Sequence, residues 1–520
     1  MKARFLRSAW LPLALAVAWL TFTASARTLT LPDEGRYVGV AWGMLTSGDW
    51  LTPRLNGLPY FHKPPLFYWI TASSIAAFGP SEWAARLASL TGAVLAATAL
   101  YLFARRWFGE REARLALLAL ATQPFFFLGA QFANLDMLVA GCIGATILAF
   151  AHASLLQASG LPAGRALSAG YLLAALGVLA KGLIGIVLPG MVLVAWLLLQ
   201  RRPRAILALL WLPGVALFLA VAGPWFAAMQ MRFPEFAHYF FVVQHFSRFA
   251  GGGFNNQHPA WFFLVVLGVL ALPWSAWLAR AAGRGTLADP VRGPVRQLLW
   301  IWLATIVLFF SIPQSKLVGY VLPATLPLAM LAADALARAG ESVRAARWWR
   351  ASAVFAVAAC LLAAGVAALR AEESSRHLGM ALRAGIGSGD RVVLLAGSFF
   401  DLAFYARLRS TPIVVDDWND PTLTARDNWR KELFDAGHFD APAARRLLIT
   451  PAELPARYCD GVTTWVAGSP KIAPRYPLLR GAKIVAVEGE STLWRVAGVA
   501  PGVMAQGCPE KPSESSAGTS

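Results

Sequence analysis

The sequence predicts an all-α, multi-pass membrane protein with a large first loop on the outer side and a small C-terminal α/β domain. Of the 520 residues, 57% are hydrophobic and only 14% are charged, and the mean hydropathy is +0.54. Soluble domains carry about 25% charged residues, so most of this chain is suited to lipid. Only the last part, residues 370–520, loses this character.

Eleven apolar segments approach the length of about 20 residues that a membrane-spanning helix requires. They lie near residues 8–26, 86–104, 115–131, 136–156, 166–180, 183–199, 205–228, 260–279, 297–312, 317–337 and 351–369. The short pair at 166–180 and 183–199 is separated only by Lys181 and Gly182, which favours broken or tilted helices. We therefore expect a first transmembrane helix within 1–26 and a membrane body over 86–369.

The positive charge of the chain is concentrated between these segments. Residues 1–369 hold 28 lysines and arginines against 11 acids, whereas residues 370–520 hold 18 against 17. The basic clusters lie in alternate loops, as the positive-inside rule requires of cytoplasmic loops. The N-terminus is therefore expected inside, and residues 27–85 and 370–520 outside. The net charge of +18 is a topology signal, and nucleic acid is excluded as a partner.

The first apolar segment also has features of a signal peptide. It follows a basic start and ends in Ala-Ser-Ala at residues 24–26, a small-residue cleavage pattern. Because its apolar run is longer than that of a usual signal peptide, we expect an uncleaved anchor.

The C-terminal part, residues 370–520, is predicted to be a small α/β domain. Its β-like runs begin at Arg391, Pro412, Leu447, Lys483 and Thr492. An amphipathic stretch lies between the first two runs, and strand, helix and strand in this order are typical of an α/β domain. A disulfide between Cys459 and Cys508 is permitted in an exported domain, and the sequence leaves their pairing open. The polar tail after Pro509 is predicted to be disordered.

The first loop, residues 27–85, concentrates acids, bases and aromatic residues beside the membrane. Two helices are predicted in it, Glu34 to Leu45 and Leu66 to Phe78; the second follows two prolines, which a first helical turn tolerates. Their aromatic residues suit the membrane interface. We expect this loop to carry the chemistry of the protein.

Asp33 and Glu34 are the candidate catalytic carboxylates. A carboxylate at the membrane surface can orient or deprotonate an acceptor, or stabilise positive charge that develops at a sugar C1. The alternative is a structural role, because Pro-Asp-Glu suits the start of a helix. Arg36 and Tyr37, one turn later, favour the functional interpretation, since a helix cap needs neither.

Lys63 and Asp136 are further candidates on the outer side. A lysine that precedes two prolines is held on a rigid turn and can bind phosphate as a point charge; the alternative is a lysine that reaches toward lipid headgroups. Asp136 stands at the outer end of an apolar segment, where an acid is costly and indicates a functional site. Asp334 lies near the cytoplasmic end and is expected to be structural.

Two later loops supply additional cations. In residues 229–259, Arg248 can hold a phosphate through two parallel hydrogen bonds, with His245 one turn earlier and three glycines after it. The alternative there is an aromatic interfacial helix with a hinge. Lys316 and Tyr320 stand at the outer start of another apolar segment. Together these residues predict an outward-facing site for a lipid phosphate or pyrophosphate, flanked by one or two acids.

The same motifs resemble the bacterial lipid A aminoarabinose transferases, which are relatives of the protein O-mannosyltransferases. The matching stretches are DExRY from residue 33, SGDWLTPRLNGLPYFxKPPLFYW from 47, NLDM from 134, AKGLIGIVLPG from 180, FPEFAHYFFVVQHFSRF from 233 and SxxxSKLxxYxLP from 311. They occur in the order of the family and cover most of residues 25–335, whereas the C-terminal domain matches less well.

The resemblance implies a GT-C-like body of about 11–13 transmembrane helices and an inverting glycosyltransferase that uses a polyprenyl-phosphate sugar, typically of undecaprenyl phosphate. By motif match, Asp33 would be the catalytic loop carboxylate, and Lys63, Asp136, Arg248, Lys316 and Tyr320 would line the cavity for donor phosphate and acceptor. With the residues selected above, the predicted site has Asp33 and Glu34 as catalytic residues. Its substrate-binding residues are Arg36, Tyr37, Lys63, Asp136, His245, Arg248, Lys316 and Tyr320.

The expected location of the site and of the C-terminal domain is the periplasmic face of the bacterial inner membrane. The family implies 4-amino-4-deoxy-L-arabinose as the sugar and lipid A as the acceptor, with a protein or another glycan or lipid as the alternative acceptor. His62 stands where aminoarabinose transferases usually carry glutamate, so the acceptor stays open. No cofactor is expected to be required, and a divalent metal is left open.

A flippase or transporter for lipid-linked sugars is the alternative of another class. It would also place basic residues around a cavity. Such a protein predicts charges deep in several apolar segments and two symmetric halves, and the sequence has neither feature.

Overall fold

Each of the eleven apolar segments forms a helix or a pair of helices in the computed structural model, which describes residues 2–247, 256–283, 286–290, 292–340, 342–369, 374–425, 427–458 and 460–498. The chain divides into two compact units. The first comprises Met1–Thr28, Gly48–Pro53 and Tyr60–Ala371, and the second comprises Leu29–Ser47, Arg54–Pro59 and Glu372–Ser520. The loop at 27–85 is therefore shared between the units, a division that the sequence did not predict.

The first unit is helical. Its longer α-helices are Lys2–Thr21, Leu66–Phe78, Glu82–Trp107, Glu110–Ala121, Leu135–Ala158, Gly164–Lys181, Ile184–Leu199, Leu212–Arg232, Gly293–Ser311, Thr325–Arg338 and Val343–Leu369. Shorter helices are Pro124–Ala130, Pro203–Leu209, Phe262–Leu270 and Leu278–Ala281, with a π-helix at His238–Ser247 and 3-10 turns at Trp274–Trp277 and Val318–Ala324. The interfacial helix expected at Leu66 to Phe78 has those bounds.

Six helices of the described residues are long and apolar enough to cross a membrane, or up to eight if each bent pair is one span. The bent pairs are Glu110–Ala121 with Pro124–Ala130, which meet at 68°, and Phe262–Leu270 with Trp274–Ala281, which meet at 103°. Trp10–Thr21, Leu66–Phe78 and Ile184–Leu199 are shorter apolar helices. The separate helices Gly164–Lys181 and Ile184–Leu199 agree with the break predicted at Gly182.

Close helix packing in the first unit depends on glycine. A Cβ atom at Gly141 would lie 2.2 Å from the carbonyl oxygen of Gly92, and one at Gly92 would lie 2.4 Å from the carbonyl oxygen of Met137. Small residues at such crossings let helix backbones approach closely, which is how helices associate in lipid without a hydrophobic driving force. The pair thus fixes Leu135–Ala158, which carries Asp136, against Glu82–Trp107.

The second unit contains a two-stranded hairpin and a six-stranded sheet. The hairpin strands are β1 (Arg54–Leu55) and β2 (Leu58–Pro59). The sheet strands are β3 (Arg391–Leu395), β4 (Ile413–Val415), β5 (Leu448–Ile449), β6 (Thr464–Gly468), β7 (Lys483–Glu488) and β8 (Ser491–Val496), in the order β5-β4-β3-β6-β8-β7. Strands β5, β4, β3 and β6 are parallel, and β8 and β7 complete an antiparallel edge. The expected α/β domain is present.

The helices of the second unit come from both ends of the chain. They are Asp33–Ser47, Arg376–Gly385, Leu402–Ala406, Trp429–His438, Ala441–Leu447 and Pro455–Tyr458, with 3-10 turns at Ala473–Arg475 and Pro477–Leu479. The indole of Trp42 in the first of them donates to the carbonyl of Leu408 at 2.8 Å and packs edge-on against Phe404. Leu58 of the hairpin lies in a small core with Ala436 and Ala443. The segment 29–59 is therefore an integral part of the second unit.

The hairpin turns at Asn56 and Gly57, whose φ angles are +47° and +78°. Two positive φ angles in a two-residue loop are the geometry that Asn-Gly favours, because its twist matches that of the flanking strands. A Cβ atom at Gly57 would also lie 2.9 Å from a methyl group of Leu447. The turn holds Arg54 and Asn56 on a rigid edge.

Asp401 gives the second unit a testable pH dependence. Its side chain is fully buried, and burial raises its pKa from 3.8 to about 6 against the opposing hydrogen bonds from Ser374 and Ser375. The folded state then holds the proton more tightly than the unfolded state. The contribution of Asp401 to the free energy of unfolding is fully present below about pH 4. It is lost as the pH rises through about 6, and the loss is at most about 3 kcal/mol.

We expect Asp401→Asn to remove this part of the pH dependence and to raise the unfolding temperature at pH 7.5. An asparagine keeps the acceptor for both serines, and its amide replaces Oδ1, which has no hydrogen-bond partner among the described residues. Thermal unfolding of the full chain in detergent between pH 4 and 8 measures this, with Asp435→Asn as the control. Equal slopes for wild type and Asp401→Asn would contradict the assignment.

Candidate active site

Asp33 opens the helix Asp33–Ser47, where its charge complements the helix dipole. Its side chain is 48% exposed, and Oδ1 accepts a hydrogen bond from Arg36 at 2.5 Å. Within the described residues, Oδ2 has no partner. The carboxylate is thus oriented on one side and accessible on the other, which suits a group that contacts a substrate.

Arg36 is held between two acids of the second unit. Besides Asp33, its guanidinium pairs with Glu432 of the helix Trp429–His438. Burial raises the pKa of Glu432, and the neighbouring Arg36 opposes that shift. Arg36 also lies over the ring of Tyr37, 5.1 Å from its centroid. This arrangement makes Arg36 a positioning group for Asp33.

Glu34 is placed differently from Asp33. Its side chain is fully buried, and Oε2 accepts a hydrogen bond from the backbone N–H of Thr30 at 3.0 Å. This bond fixes the chain just before the helix, which is a structural role. Tyr37 is also buried. Of the two acids, the geometry favours Asp33 as the one open to a substrate.

In the first unit, Asp136 and Tyr320 converge on Lys181. Asp136 lies in the first turn of Leu135–Ala158, where Asn134 caps the helix by accepting from the Asp136 N–H at 2.8 Å. Its carboxylate pairs with Lys181, the last residue of Gly164–Lys181. The ammonium of Lys181 lies 4.6 Å from the ring centroid of Tyr320. An acid at a helix start and a lysine at a helix end are both favoured by the helix dipoles.

This cluster is buried and tightly packed. The side chains of Asp136 and Lys181 are 9% and 12% exposed. A Cβ atom at Gly319 would lie 2.2 Å from Oδ2 of Asp136, so the backbone beside Tyr320 closes over the carboxylate. The cluster joins three helical segments, Leu135–Ala158, Gly164–Lys181 and Val318–Ala324, through one charge pair.

His62 precedes Lys63 and is fixed in the first unit. Its ring is buried, stacks on Tyr60 with centroids 4.6 Å apart, and shares a hydrogen bond of 2.8 Å between Nε2 and the Tyr239 hydroxyl. Gln244 donates to the same hydroxyl at 3.0 Å. The neighbouring Lys63 is half-buried. The π-helix His238–Ser247 thereby holds the turn on which Lys63 stands.

Lys316 is buried and fastens two loops together. Its ammonium donates to the carbonyls of His258, at 2.9 Å, and Pro313. Residues 256–258 and 314–316 also pair through their backbones. Burial lowers the pKa of Lys316. An ammonium has three donors, and one has no protein partner within the described residues.

Of the remaining predicted residues, Asp334 is described by the structure, whereas the side chains of His245 and Arg248 are not. Asp334 pairs with Arg296 through two hydrogen bonds of 2.9 Å and with Arg338 at 2.9 Å, which agrees with the structural role expected for it. His245 lies in the π-helix, but its side chain is outside the described part of the structure, as is the whole of Arg248. The Cys459–Cys508 pairing also falls outside it.

Residues 62–227 match a family described as dolichyl-phosphate-mannose-protein mannosyltransferase. An undecaprenyl phosphate-α-4-amino-4-deoxy-L-arabinose arabinosyl transferase from Pseudomonas aeruginosa is 36% identical over 326 residues, which are 61% of this chain and 57% of the relative. One of the same name from Aeromonas hydrophila is 34% identical over 314 residues, 59% of this chain and 56% of the relative. The matches thus span a little over half of the length of these relatives.

The whole structure is similar to that of ArnT from Cupriavidus metallidurans bound to undecaprenyl phosphate. The TM-score is 0.76 at 25% identity, over 95% of this chain and 99% of that one. The chain shares the ArnT fold. It is therefore a multi-pass membrane protein of GT-C architecture, and the resemblance predicted from the sequence is confirmed. The archaeal oligosaccharyltransferase AglB from Archaeoglobus fulgidus shows the same fold more distantly, with a TM-score of 0.51 at 15% identity.

Three contacts of the predicted site residues involve partners that the sequence did not indicate. Lys181 stands in a bare loop of the sequence and was not selected, although it is the partner of Asp136. Glu432 and Tyr239 likewise had no motif of their own, yet they fix Arg36 and His62. Only the placement of Lys181 one residue before a glycine at a helix end carried a signal. No group of three or more potential metal ligands occurs among the residues that the structure describes.

Proposed function

We propose that this chain is an inverting membrane glycosyltransferase that moves a sugar from a polyprenyl phosphate, of the undecaprenyl type, to an acceptor. The similarity that carries the proposal is the match over 95% of the chain to ArnT bound to undecaprenyl phosphate. The arabinosyl transferases at 36% and 34% identity support the same reaction class. We place the reaction at the periplasmic face of the bacterial inner membrane, because the basic clusters between the apolar segments favour a cytoplasmic N-terminus.

In this proposal, Lys63, Arg248 and Lys316 bind the phosphate of the donor. The bond from C1 of the sugar to the phosphate oxygen breaks, and the leaving phosphate retains its negative charge. Cations placed where charge develops stabilise that transition state. The third donor of Lys316 and the rigid turn that carries Lys63 support this role.

Asp33 is the proposed catalytic carboxylate. It orients the acceptor oxygen for attack on the face of C1 opposite the phosphate, or takes its proton when the acceptor is a hydroxyl. When the acceptor is a phosphate group, no deprotonation is needed, and Asp33 orients it and stabilises charge at C1. Arg36 positions Asp33 through the hydrogen bond at 2.5 Å, while Glu34 and Tyr37 hold the helix in place.

We further propose 4-amino-4-deoxy-L-arabinose as the sugar and lipid A as the acceptor. The names of the relatives favour the sugar, and the family resemblance implies lipid A as the acceptor. We propose that Asp136 and Tyr320 lie beside the sugar, with Asp136 held in place by its ion pair with Lys181. We propose that the transfer requires no metal, because the lysines and Arg248 already supply the positive charge that the leaving phosphate needs.

The test is a transfer assay with the purified chain. Undecaprenyl phosphate carrying radiolabelled 4-amino-4-deoxy-L-arabinose is supplied with lipid A, with a soluble glycan or with peptide, with and without EDTA. We expect label in lipid A, at the same rate in EDTA. Label in another acceptor would correct the acceptor alone, dependence on metal would overturn the metal-free proposal, and no transfer to any acceptor would overturn the function.

A further inference from the structure

The second unit contains a cavity of about 60 Å³. By the space that a water requires, this volume holds roughly four to six waters, which a single sugar ring can replace. Three segments line it and leave one side open: the helix Asp33–Ser47, the β1–β2 hairpin and residues 399–412 before β4. The lining residues that define its chemistry are Trp42, Arg54, Asn56, Arg409, Ser410 and Thr411.

The walls of the cavity are held in place before any ligand arrives. The side-chain amide of Asn56, at the hairpin turn, donates to the carbonyl of Pro412 at 3.1 Å. The indole of Trp42 donates to the carbonyl of Leu408 on the opposite wall at 2.8 Å. These bonds join all three segments around the opening. A cavity fixed in this way loses little conformational entropy when it binds a ligand.

Two arginines, Arg54 and Arg409, line the cavity. The guanidinium of Arg54 pairs with Asp440 at 3.2 Å and donates to the carbonyl of Gly57 at 3.0 Å. Arg409 is exposed at the rim and forms no ion pair within the described residues. Arg409 therefore presents a guanidinium charge at the rim. A guanidinium is the side chain best suited to bind a phosphate through two parallel hydrogen bonds.

The uncharged lining suits the rest of a sugar. Asn56, Ser410 and Thr411 carry amide and hydroxyl groups, which both donate and accept hydrogen bonds as sugar hydroxyls do. Trp42, Phe399 and Phe400 supply an apolar aromatic wall for the C–H face of a sugar ring. Polar groups beside aromatic side chains on a concave surface are typical of a small-molecule site.

We propose that this cavity binds a sugar ring that carries a phosphate group, and that it holds the glycan part of the acceptor. The second half of this inference rests on the proposed glycosyl transfer, whereas the binding of a phosphorylated sugar does not. None of the residues predicted for the catalytic site is needed for it. The cavity makes Arg409 a specificity-determining residue for anionic acceptors.

The experiment measures binding to the full chain in detergent by isothermal titration calorimetry. The probes are glucosamine 6-phosphate, glucosamine and inorganic phosphate. We expect glucosamine 6-phosphate to bind more tightly than either fragment. Arg409→Ala should weaken its binding about tenfold, the effect of losing one charge-assisted hydrogen bond. The binding of glucosamine, whose ammonium group the guanidinium repels, should not weaken. Arg383→Ala, which changes an exposed arginine of the same unit that is not part of this lining, serves as the matched control and should bind like wild type.

Two results would overturn the inference: no binding of glucosamine 6-phosphate, or the same affinity for it in Arg409→Ala as in wild type. The transfer assay separates this result from the proposed function. There, Arg409→Ala should raise KM for a phosphorylated acceptor with kcat and the KM of the donor unchanged. Transfer with an unaltered acceptor KM would refute the acceptor role of the cavity alone, whereas phosphosugar binding without any transfer would support the cavity and refute the transferase.

Discussion

Asp33→Asn should lower the rate of sugar transfer by roughly 100- to 10,000-fold, the usual contribution of a positioned acid or base. The substitution removes the negative charge and keeps the shape of the side chain. Asparagine is also favoured at a helix start, and an ion pair with one exposed partner contributes only about 0–1 kcal/mol, so the fold should persist. The measurement is the initial rate with labelled donor lipid in nanodiscs.

Two further variants test whether the loss of activity in Asp33→Asn comes from the loss of the carboxylate itself or from a disturbance of its surroundings. Glu432→Gln weakens the other ion pair of Arg36 and leaves Asp33 in place, so it should retain much more activity than Asp33→Asn. Asp435→Asn removes an acid that pairs with Lys431 in the same unit and should be fully active. Full turnover by Asp33→Asn would remove Asp33 from the mechanism.

The second large effect is expected at the Asp136–Lys181 pair. Lys181→Met leaves a buried carboxylate without its partner, and Asp136→Asn leaves a buried ammonium in the same state. Breaking a buried pair on one side costs about 3–5 kcal/mol, because the remaining charge is desolvated and uncompensated. Each single variant should therefore unfold at a clearly lower temperature or denaturant concentration than wild type.

The double variant Asp136→Asn with Lys181→Met decides what the pair does. It carries no lone charge and should recover much of the lost stability. If Asp136 also contacts a substrate, as proposed, the folded double variant should remain inactive. Lys471→Met, which breaks an exposed pair with Glu490, is the control and should change stability by less than about 1 kcal/mol. Recovery of full transfer by the double variant would make the pair purely structural.

Much of the membrane body could be predicted because its signals are local. Long apolar runs, proline pairs and glycine breaks act within one helix, and the helix Leu66–Phe78 was found to the residue for that reason. The strand Thr464–Gly468 was missed although it is rich in β-formers. It lies inside the sheet with both faces buried, so it lacks the alternation of polar and apolar residues that marks a half-exposed strand.

The contacts of the candidate site could not be predicted in the same way. Arg36 and Glu432 are 396 residues apart in sequence, and Asp136 and Lys181 are 45 apart. Such pairs depend on how helices and sheets pack, and no periodic pattern in one chain encodes them. The sequence therefore indicated which residues have suitable chemistry, while the identity of their neighbours, and the burial that separates Glu34 from Asp33, required the structure.

The second unit can assemble only late in synthesis, because it combines an early segment of the chain with its C-terminal part. Helix Asp33–Ser47 and the hairpin emerge early in translation, but Leu408, Glu432 and Asp440, their partners, belong to the last third of the chain. At ordinary elongation speeds, the ribosome needs roughly 15–70 s to add the residues between 47 and 376. Throughout that interval the nascent N-terminal segment has no native docking surface, so its protection from proteases must come from the bilayer or from a chaperone.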